Sequence, residues 1–505
     1  MTTRALLALT TGVALGLSGP PWDQPWIAWV ALVPLLAALR GCVPLAAGAL
    51  AWLAGTAWHA LALVWLVDTL AAHTALPFLA CQALWLAAAS CIGLSTGAAV
   101  ATAMWAARRG WPLALVLPVA WMAFESTQGW PVASFPWTPL GLSQHAAPGV
   151  AAWAATVGTV GLSGIVVLVN VLVALAAGRL RLRAWCWAAA AAVIAVALVG
   201  GARPIHDAAV GASDAHVLRL GLVQGHVPPR ERTSPYDKHR VLVRYERLSA
   251  QVAPAVDLLV WPEAAVPFYF GDDAQATRRI RSVAQRHRTP LLFGSPGLER
   301  LTRTEKRYTN RALLLAADGR TRGTYTKRRL APFGEYVPYG RWLPSIRPFI
   351  GTPQSLEAGA GPPVLMLPDG TVAGVLLCFE SVFPALARAA VAGGARLLLN
   401  LANDAWFAGG APSAQSLAHA RMRAVELGVP VVRVANEGVS AVVDPAGRVV
   451  WTAPAGRMHA DVVEVAFGAR TGRTPFARWG GWGPAGLWAA LVVMVTLPPR
   501  RRRAA

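Results

Sequence analysis

The first 201 residues of the chain carry almost no charge: apart from histidines, only Arg4, Asp23, Arg40, Asp68, Arg108, Arg109, Glu125, Arg179, Arg181 and Arg183 have charged side chains there. No soluble core absorbs that much continuous apolar chain. Runs of about 17–25 apolar residues instead match the hydrocarbon thickness of a bilayer. Such runs lie at 4–20, 24–39, 43–67, 78–106, 112–129, 151–178 and 184–201, and an eighth lies at 481–498. The first two are separated only by Gly19-Pro20-Pro21-Trp22-Asp23-Gln24-Pro25, a turn signal, and read as a helical hairpin that tilts or only just spans. The N-terminal run also has the look of a signal peptide, but no clean cleavage site follows and the next apolar run begins at once. The expectation is a polytopic α-helical membrane domain of about eight transmembrane helices.

Orientation follows from the positions of the arginines. Arg4, Arg40, Arg108, Arg109, Arg179, Arg181, Arg183 and Arg500 to Arg503 fall at alternate membrane exits, whereas the connections at 20–25, 68–75 and 126–150 hold no Lys or Arg. The basic side is expected to be cytoplasmic. Seven crossings then carry residues 202–480 to the outer, periplasmic face of the inner membrane, and the last segment returns an Arg-rich tail to the cytoplasm. The expected division is 1–201, 202–480 and 481–505.

Residues 202–480 have the composition of a soluble domain and hold 35 of the 46 basic residues against 22 of the 25 acidic ones. A cationic surface tethered to a bilayer suits anionic lipid headgroups, and a merely solvated Arg-rich surface is the other reading. The topology removes the domain from nucleic acid. Strand-like runs at 217–224, 257–261, 311–316, 372–378, 395–400, 431–435, 439–443 and 461–465 are interleaved with helix-like runs at 237–253, 273–288, 382–393 and 413–428. That pattern predicts a layered α/β domain. No internal repeat, nucleotide-binding glycine fingerprint or metal-ligand cluster is present, so no cofactor or metal is expected. His419 and His459 are isolated and read as structural.

Five cysteines are too few and too scattered for a disulfide framework. Cys42, Cys81, Cys91 and Cys186 lie in the apolar segments, which leaves Cys378 alone in the soluble part. A lone thiol is either an inert core residue or a nucleophile. Its setting favours the second: Gly374-Val375-Leu376-Leu377 reads as a buried strand that stops at Cys378-Phe379-Glu380-Ser381. Two other strands end on charge, Leu258-Leu259-Val260-Trp261-Pro262-Glu263 and Gly323-Thr324-Tyr325-Thr326-Lys327. A Glu or Lys at a strand end is commonly just solvated. Pro262, however, cannot continue a central ladder and delivers Glu263 into a turn. Carboxylate, ammonium and thiol together make an activated-nucleophile site.

These strand ends, in this order and with their flanking residues, resemble the nitrilase superfamily, and more closely its membrane-bound branch, the apolipoprotein N-acyltransferases. The resemblance spans most of the chain. It rests on Phe135-Pro136-Trp137, Val223-Gln224-Gly225, Trp261-Pro262-Glu263, Pro332-Phe333-Gly334-Glu335, Cys378-Phe379-Glu380, Asn403-Asp404-Ala405-Trp406-Phe407 and Ala420-Arg421-Met422-Arg423-Ala424-Val425-Glu426. It implies an αββα sandwich in which Cys378 is the nucleophile, Glu263 the general base and Lys327 the stabiliser of the tetrahedral oxyanion. Glu335 would support Lys327 or the base, and Glu380 would complete the surrounding hydrogen bonds. The implied reaction is ping-pong: acyl transfer from a phospholipid, typically phosphatidylethanolamine, to the thiol, then to the α-amino group of a diacylglyceryl-cysteine in an apolipoprotein. The sequence departs from the family at Phe379, where Tyr is common, and after Val223-Gln224-Gly225, where an expected Trp is missing.

Two apolar loops, Val266-Pro267-Phe268-Tyr269-Phe270 and the stretch with Trp342, Leu343, Ile346, Phe349 and Ile350, either cap the core or act as lids for acyl chains. Trp406, near Gly409 and Gly410, is a candidate gate. Two rival functions stand beside acyl transfer: a membrane-anchored nitrilase-like amidase, in which water resolves the acyl-enzyme, and a non-catalytic carrier. Seven preceding segments add little to a hydrolase of small amides. The acidic residues of the apolar part lie near segment ends rather than at the mid-bilayer depth that carriers use. Nothing in the sequence suggests an association surface, so a monomer is expected.

Overall fold

A computed structural model describes residues 2–130, 135–178, 187, 189–193, 216–232, 235–300, 302, 305–337, 355–407, 410–454, 456–468 and 474–498. The chain divides into two compact units. One comprises Met1–Asp68, Pro77–Pro204 and Arg478–Ala505, and the other Thr69–Leu76 and Ile205–Ala477.

The first unit is helical: α1 (Thr2–Ser18), α2 (Val33–Ala38), α3 (Pro44–Ala62), the start of α4 (Trp65–His73, whose residues from Thr69 on belong to the second unit), α5 (Phe78–Arg108), α6 (Leu113–Ser126), α7 (Ala154–Gly178) and a last helix at Gly483–Thr496. Among the described residues, three helices are long and apolar enough to cross a membrane: α3, α5 and Ala154–Ala177 of α7. The segments Ile27–Ala38 and Gly483–Thr496 are shorter apolar helices. Most of the run expected at 184–201 lies outside the described residues. The run at 43–67 is not one helix. It breaks at Leu63, and α4 begins at Trp65, whose ring sits 5.7 Å from that of Trp137. Small residues let the helices approach closely: a Cβ on Gly55 of α3 would lie 3.0 Å from the Gly93 Cα of α5. Two buried polar side chains tie segments of the unit together. The Glu125 carboxylate accepts from Trp121 Nε1 and the Leu140 N–H, and Asn170 bonds the Leu32 N–H and the Ala28 carbonyl.

The second unit holds two six-stranded sheets, ordered β12-β1-β2-β3-β4-β5 and β11-β10-β9-β8-β7-β6. In the first sheet β1 (His216–Gln224), β2 (Leu258–Val260) and β3 (Leu291–Arg300) run parallel, and β4 (Lys306–Leu315) and β5 (Thr321–Thr326) follow antiparallel. The second sheet repeats the scheme with β7 (Val372–Leu377), β8 (Leu397–Ala402) and β9 (Val431–Ala435) parallel, then β10 (Ala441–Val443) and β11 (Val449–Thr452). Each sheet is finished beside its first parallel strand by an antiparallel one, β12 (His459–Phe467) on β1 and β6 (Val364–Met366) on β7. The topology thus repeats although the sequence does not.

Leu220, Leu222, Val260, Leu292 and Leu314 of one sheet pack against Val375, Leu377, Leu399, Leu401 and Val432 of the other. β8 is buried at all six positions, as a central parallel strand covered on both faces requires. Outside the first sheet, α8 (Pro235–Val252) and α9 (Ala274–His287) cover Leu259, Trp261 and Phe293. α9 starts where Asp273 accepts from the Ala276 N–H at 2.9 Å, ends on Arg288 at φ 52, and buries Ala276, Ile280, Val283 and Ala284 as one stripe. Outside the second sheet lie α10 (Pro384–Ala392) and α11 (Ala411–Leu427). The layering is helix, sheet, sheet, helix.

Candidate active site

Parallel strands direct their C-terminal ends to one side of a sheet, and this domain places its reactive groups there. β2 ends at Val260 and Trp261-Pro262 leads to Glu263, with Ala264 at φ 45 turning the chain. That turn presses on β3, where a Cβ on Gly294 would lie 2.6 Å from the Glu263 Cα. β7 ends at Leu377, and Cys378 follows at φ 48, a sharp elbow that a non-glycine residue adopts only when its surroundings impose it. Lys327 follows β5 directly, its N–H bonded to the Asn310 carbonyl at 2.8 Å.

Lys327 Nζ lies 2.9 Å from Glu263 Oε1 and 2.9 Å from Glu335 Oε1. Only 2% of the Lys327 side chain and 6% of the Glu263 side chain are exposed, so this is a buried cluster with one cation between two carboxylates. Asn310, on β4, donates its amide to the same two oxygens, at 2.7 Å to Glu263 and 2.9 Å to Glu335. Glu335 Oε2 accepts the Ala331 N–H at 2.8 Å, which closes its loop onto the site.

Glu380 has a different task. Its carboxylate is fully buried and accepts from the Leu377 N–H at 2.8 Å, the Arg328 N–H at 2.7 Å, the Arg329 N–H at 3.0 Å and the Tyr325 hydroxyl at 2.8 Å. One carboxylate therefore ties the backbone on both sides of the site, next to Lys327 and next to Cys378.

The electrostatics follow from burial. Loss of solvent raises the Glu263 carboxyl above the ordinary carboxylate range, against the pull of Lys327, and Glu335 adds to the rise. Burial also opposes the charge on Lys327, but Glu263, Glu335 and the thiol outweigh it and hold the ammonium protonated. The Cys378 thiol is pushed well up, first by burial and then by Glu263, while Lys327 and the Asn403 N–H work the other way. At rest the site therefore holds a protonated thiol facing a carboxylate of raised basicity, with an ammonium fixed beside both. Chemically, a carboxylate in such an arrangement is able to accept the thiol proton as the sulfur attacks.

The structure brings Glu263, Lys327, Glu335, Cys378 and Glu380 together. It also adds Asn310 and Tyr325, which the sequence does not mark: each is flanked by polar residues, Thr309 and Arg311 on β4 and Thr324 and Thr326 on β5. Phe379 is buried, edge-on to Phe383 at 5.2 Å, and its position holds a packing contact in place of a phenolic hydrogen bond. Phe268 is buried. Its ring is buried with Trp261 and Phe293, and its carbonyl accepts from Ser295 Oγ at 3.0 Å, so it anchors its loop to the core. Trp406 is 53% exposed, 5.3 Å from the His73 ring within the same unit. Trp342 and Phe349 lie outside the described residues. Among the described residues, no group of His, Cys, Asp and Glu is arranged to hold a metal ion.

The chain matches the carbon-nitrogen hydrolase family over residues 219–472 and the apolipoprotein N-acyltransferase N-terminal domain over residues 11–172. The apolipoprotein N-acyltransferase of Geobacter metallireducens is 32% identical over 457 residues, 89% of this chain and 87% of that protein. This chain belongs to the apolipoprotein N-acyltransferase family. The Azotobacter vinelandii apolipoprotein N-acyltransferase is 32% identical over 511 residues and covers 99% of the chain. A solved amidase of the nitrilase superfamily from Nesterenkonia matches at 21% identity and a TM-score of 0.38, over 52% of this chain and 93% of that one. The carbon-nitrogen hydrolase match contains every residue of the cluster from Glu263 to Glu380.

Proposed function

We propose that this protein N-acylates apolipoproteins with an acyl chain taken from a phospholipid, through a thioester on Cys378. The observation that carries the reading is the ammonium of Lys327, held 2.9 Å from Glu263 and facing the thiol on the adjoining elbow. In the first half-reaction Cys378 Sγ attacks the ester carbonyl as Glu263 takes the thiol proton, and Lys327 stabilises the oxyanion. Collapse breaks the ester C–O bond, and Glu263 returns the proton to the leaving lysophospholipid. In the second, the α-amino group of diacylglyceryl-cysteine attacks the thioester, the C–S bond breaks, and an amine proton passes through Glu263 to the sulfur. A thiolate leaves readily, which suits an amine acceptor.

The membrane arrangement in this reading is eight crossings, with residues 202–480 on the periplasmic face of the inner membrane and the Arg-rich tail in the cytoplasm. The division of the chain at 201 and 480 belongs to the same proposal. Phosphatidylethanolamine is the proposed donor, a diacylated apolipoprotein the acceptor, and a monomer the working unit.

The test is intact-protein mass spectrometry after incubation with a defined phospholipid, with Cys378→Ala alongside. An acyl-sized gain on the parent alone, removed by hydroxylamine and by a diacylated lipopeptide, is expected. Loss to water but not to lipopeptide would instead identify a hydrolase, and absence of any adduct would overturn the phospholipid donor.

A further inference from the structure

One buried ion pair of the domain lies beside the nucleophile without belonging to the cluster around Lys327. Arg433, on β9, is fully buried. Its Nη2 lies 2.8 and 2.7 Å from the two carboxylate oxygens of Asp404, its Nη1 2.8 Å from Asn400 Oδ1, and its Nε 3.1 Å from the Val439 carbonyl. Two of these partners, Asn400 and Asp404, lead towards Cys378. Asn400 Nδ2 donates to the Leu376 and Cys378 carbonyls at 3.2 and 3.3 Å, and so holds the elbow from below. Asp404 fixes the loop at the exit of β8, and the Asn403 N–H of that loop is directed at the Cys378 sulfur.

The loop is pinned from other sides as well. Ser413 Oγ donates to Asp404 Oδ2 at 2.6 Å, the Asp404 N–H donates to the Glu437 carbonyl at 3.2 Å, and Asn436 Nδ2 donates to Asn403 Oδ1 at 3.1 Å. Gly438, at φ 97, passes so close that a Cβ there would lie 2.1 Å from Asp404 Oδ2.

Burying a full ion pair is costly, and hydrophobic residues of the same volume commonly serve stability as well. A guanidinium that holds both Asp404 oxygens through Nη2 while Nη1 reaches Asn400 does what an apolar pair cannot: it sets two strand exits in one geometry.

We propose that Arg433 and Asp404 are positioning residues for the nucleophile, aiming the Asn403 N–H at Cys378 Sγ and seating the elbow through Asn400. The proposal rests on Cys378 being the nucleophile. Arg433 also neutralises a carboxylate that faces the thiol. The charged groups around that sulfur are Glu263 and Lys327 from the first sheet and Asp404 from the second.

The test follows alkylation of Cys378 by iodoacetamide across pH, on the full-length protein in detergent, read by peptide mass spectrometry so that the other cysteines do not interfere. Asp404→Asn removes one negative charge facing the thiol and is expected to lower the pH midpoint by about half a unit to one unit. Arg433→Lys keeps the charge but loses the fork, and is expected to leave the midpoint in place while slowing alkylation about tenfold. A pair that served folding alone would lower Tm in both variants and leave rate and midpoint as in the parent, which would overturn the proposal. Should Arg433→Lys fail to fold, Ser413→Ala loosens Asp404 without touching either charge. It is expected to slow alkylation about threefold at an unchanged midpoint, and a parental rate would count against the proposal. Acyl-adduct formation is measured on the same parent sample. A parent that forms no adduct but whose alkylation curve still responds to Asp404→Asn would sink the acyl-transfer reading and leave the positioning role standing.

Discussion

The Tyr325 hydroxyl, on the last strand of one sheet, lies 2.8 and 3.0 Å from the two oxygens of Glu380, which follows the first parallel strand of the other. The carboxylate of Glu380 is thus the joint where the two sheets are registered, and it stands between the backbone of Lys327 and that of Cys378. Glu380→Ala would strand three backbone N–H groups and a phenol in a buried site, at a cost of about 3 kcal/mol or more. Tyr325→Phe removes one donor of the set, and about 1 kcal/mol is expected. Thermal unfolding in detergent should show that order. Acyl-adduct formation should fall at least tenfold with Glu380→Ala and much less with Tyr325→Phe.

The acylation rate should depend on pH through Glu263. The carboxylate must be ionised to take the thiol proton, so the rate is lost as pH falls through its folded-state pKa. Burial raises that pKa above the ordinary 4.5, and the acidic limb is therefore expected above that value. Stopped-time acylation from pH 4 to pH 8 checks it. A limb at or below 4.5 would mean that Glu263 is not the proton acceptor, or that Lys327 dominates its environment.

Lys327→Met leaves two buried carboxylates facing each other without their shared cation. Removing a stabiliser of this kind costs catalysis about a thousandfold, and breaking a buried pair from one side costs about 3 kcal/mol or more. The carboxylates would respond by retaining a proton, so the stability deficit should shrink as pH falls. Adduct formation and unfolding measured at pH 5 and pH 8 separate the two effects.

Asn310 donates to Glu263 and Glu335 through one amide nitrogen. In Asn310→Ala the Glu263 carboxylate loses a donor that favours its charge, so the acidic limb should move to higher pH and the rate at neutral pH should fall about tenfold. A rate loss with an unmoved limb would point to a packing defect.

Much of this site can be read from the sequence because Glu263 and Cys378 each end an apolar run, after β2 with Trp261-Pro262 and after β7, and Lys327 closes the polar strand β5. What escapes has physical reasons. β3 is obscured by Gly294, Pro296 and Gly297, yet β2 pairs only with Leu291 and Leu292, so the missing N–H of Pro296 faces an edge where no partner strand asks for it. β6 and β11 are short outer strands with little pattern to detect. Arg433 lies in a clear strand run, but composition cannot tell that its charge turns inward to Asp404. The break of the 43–67 run at Leu63 carries no Gly or Pro, so no residue type marks it in the sequence.

β1 and β12 pair along nine residues, with His216 opposite Phe467 at one end and Gln224 opposite His459 at the other. The first and last strands of the domain are therefore neighbours, and the chain enters and leaves it at a single corner. In covalent terms the domain is a closed loop with a narrow neck. A peptide spanning 216–467 could be sealed head to tail by a short linker, and its ring would cross none of the strand exits that carry Glu263, Lys327 and Cys378.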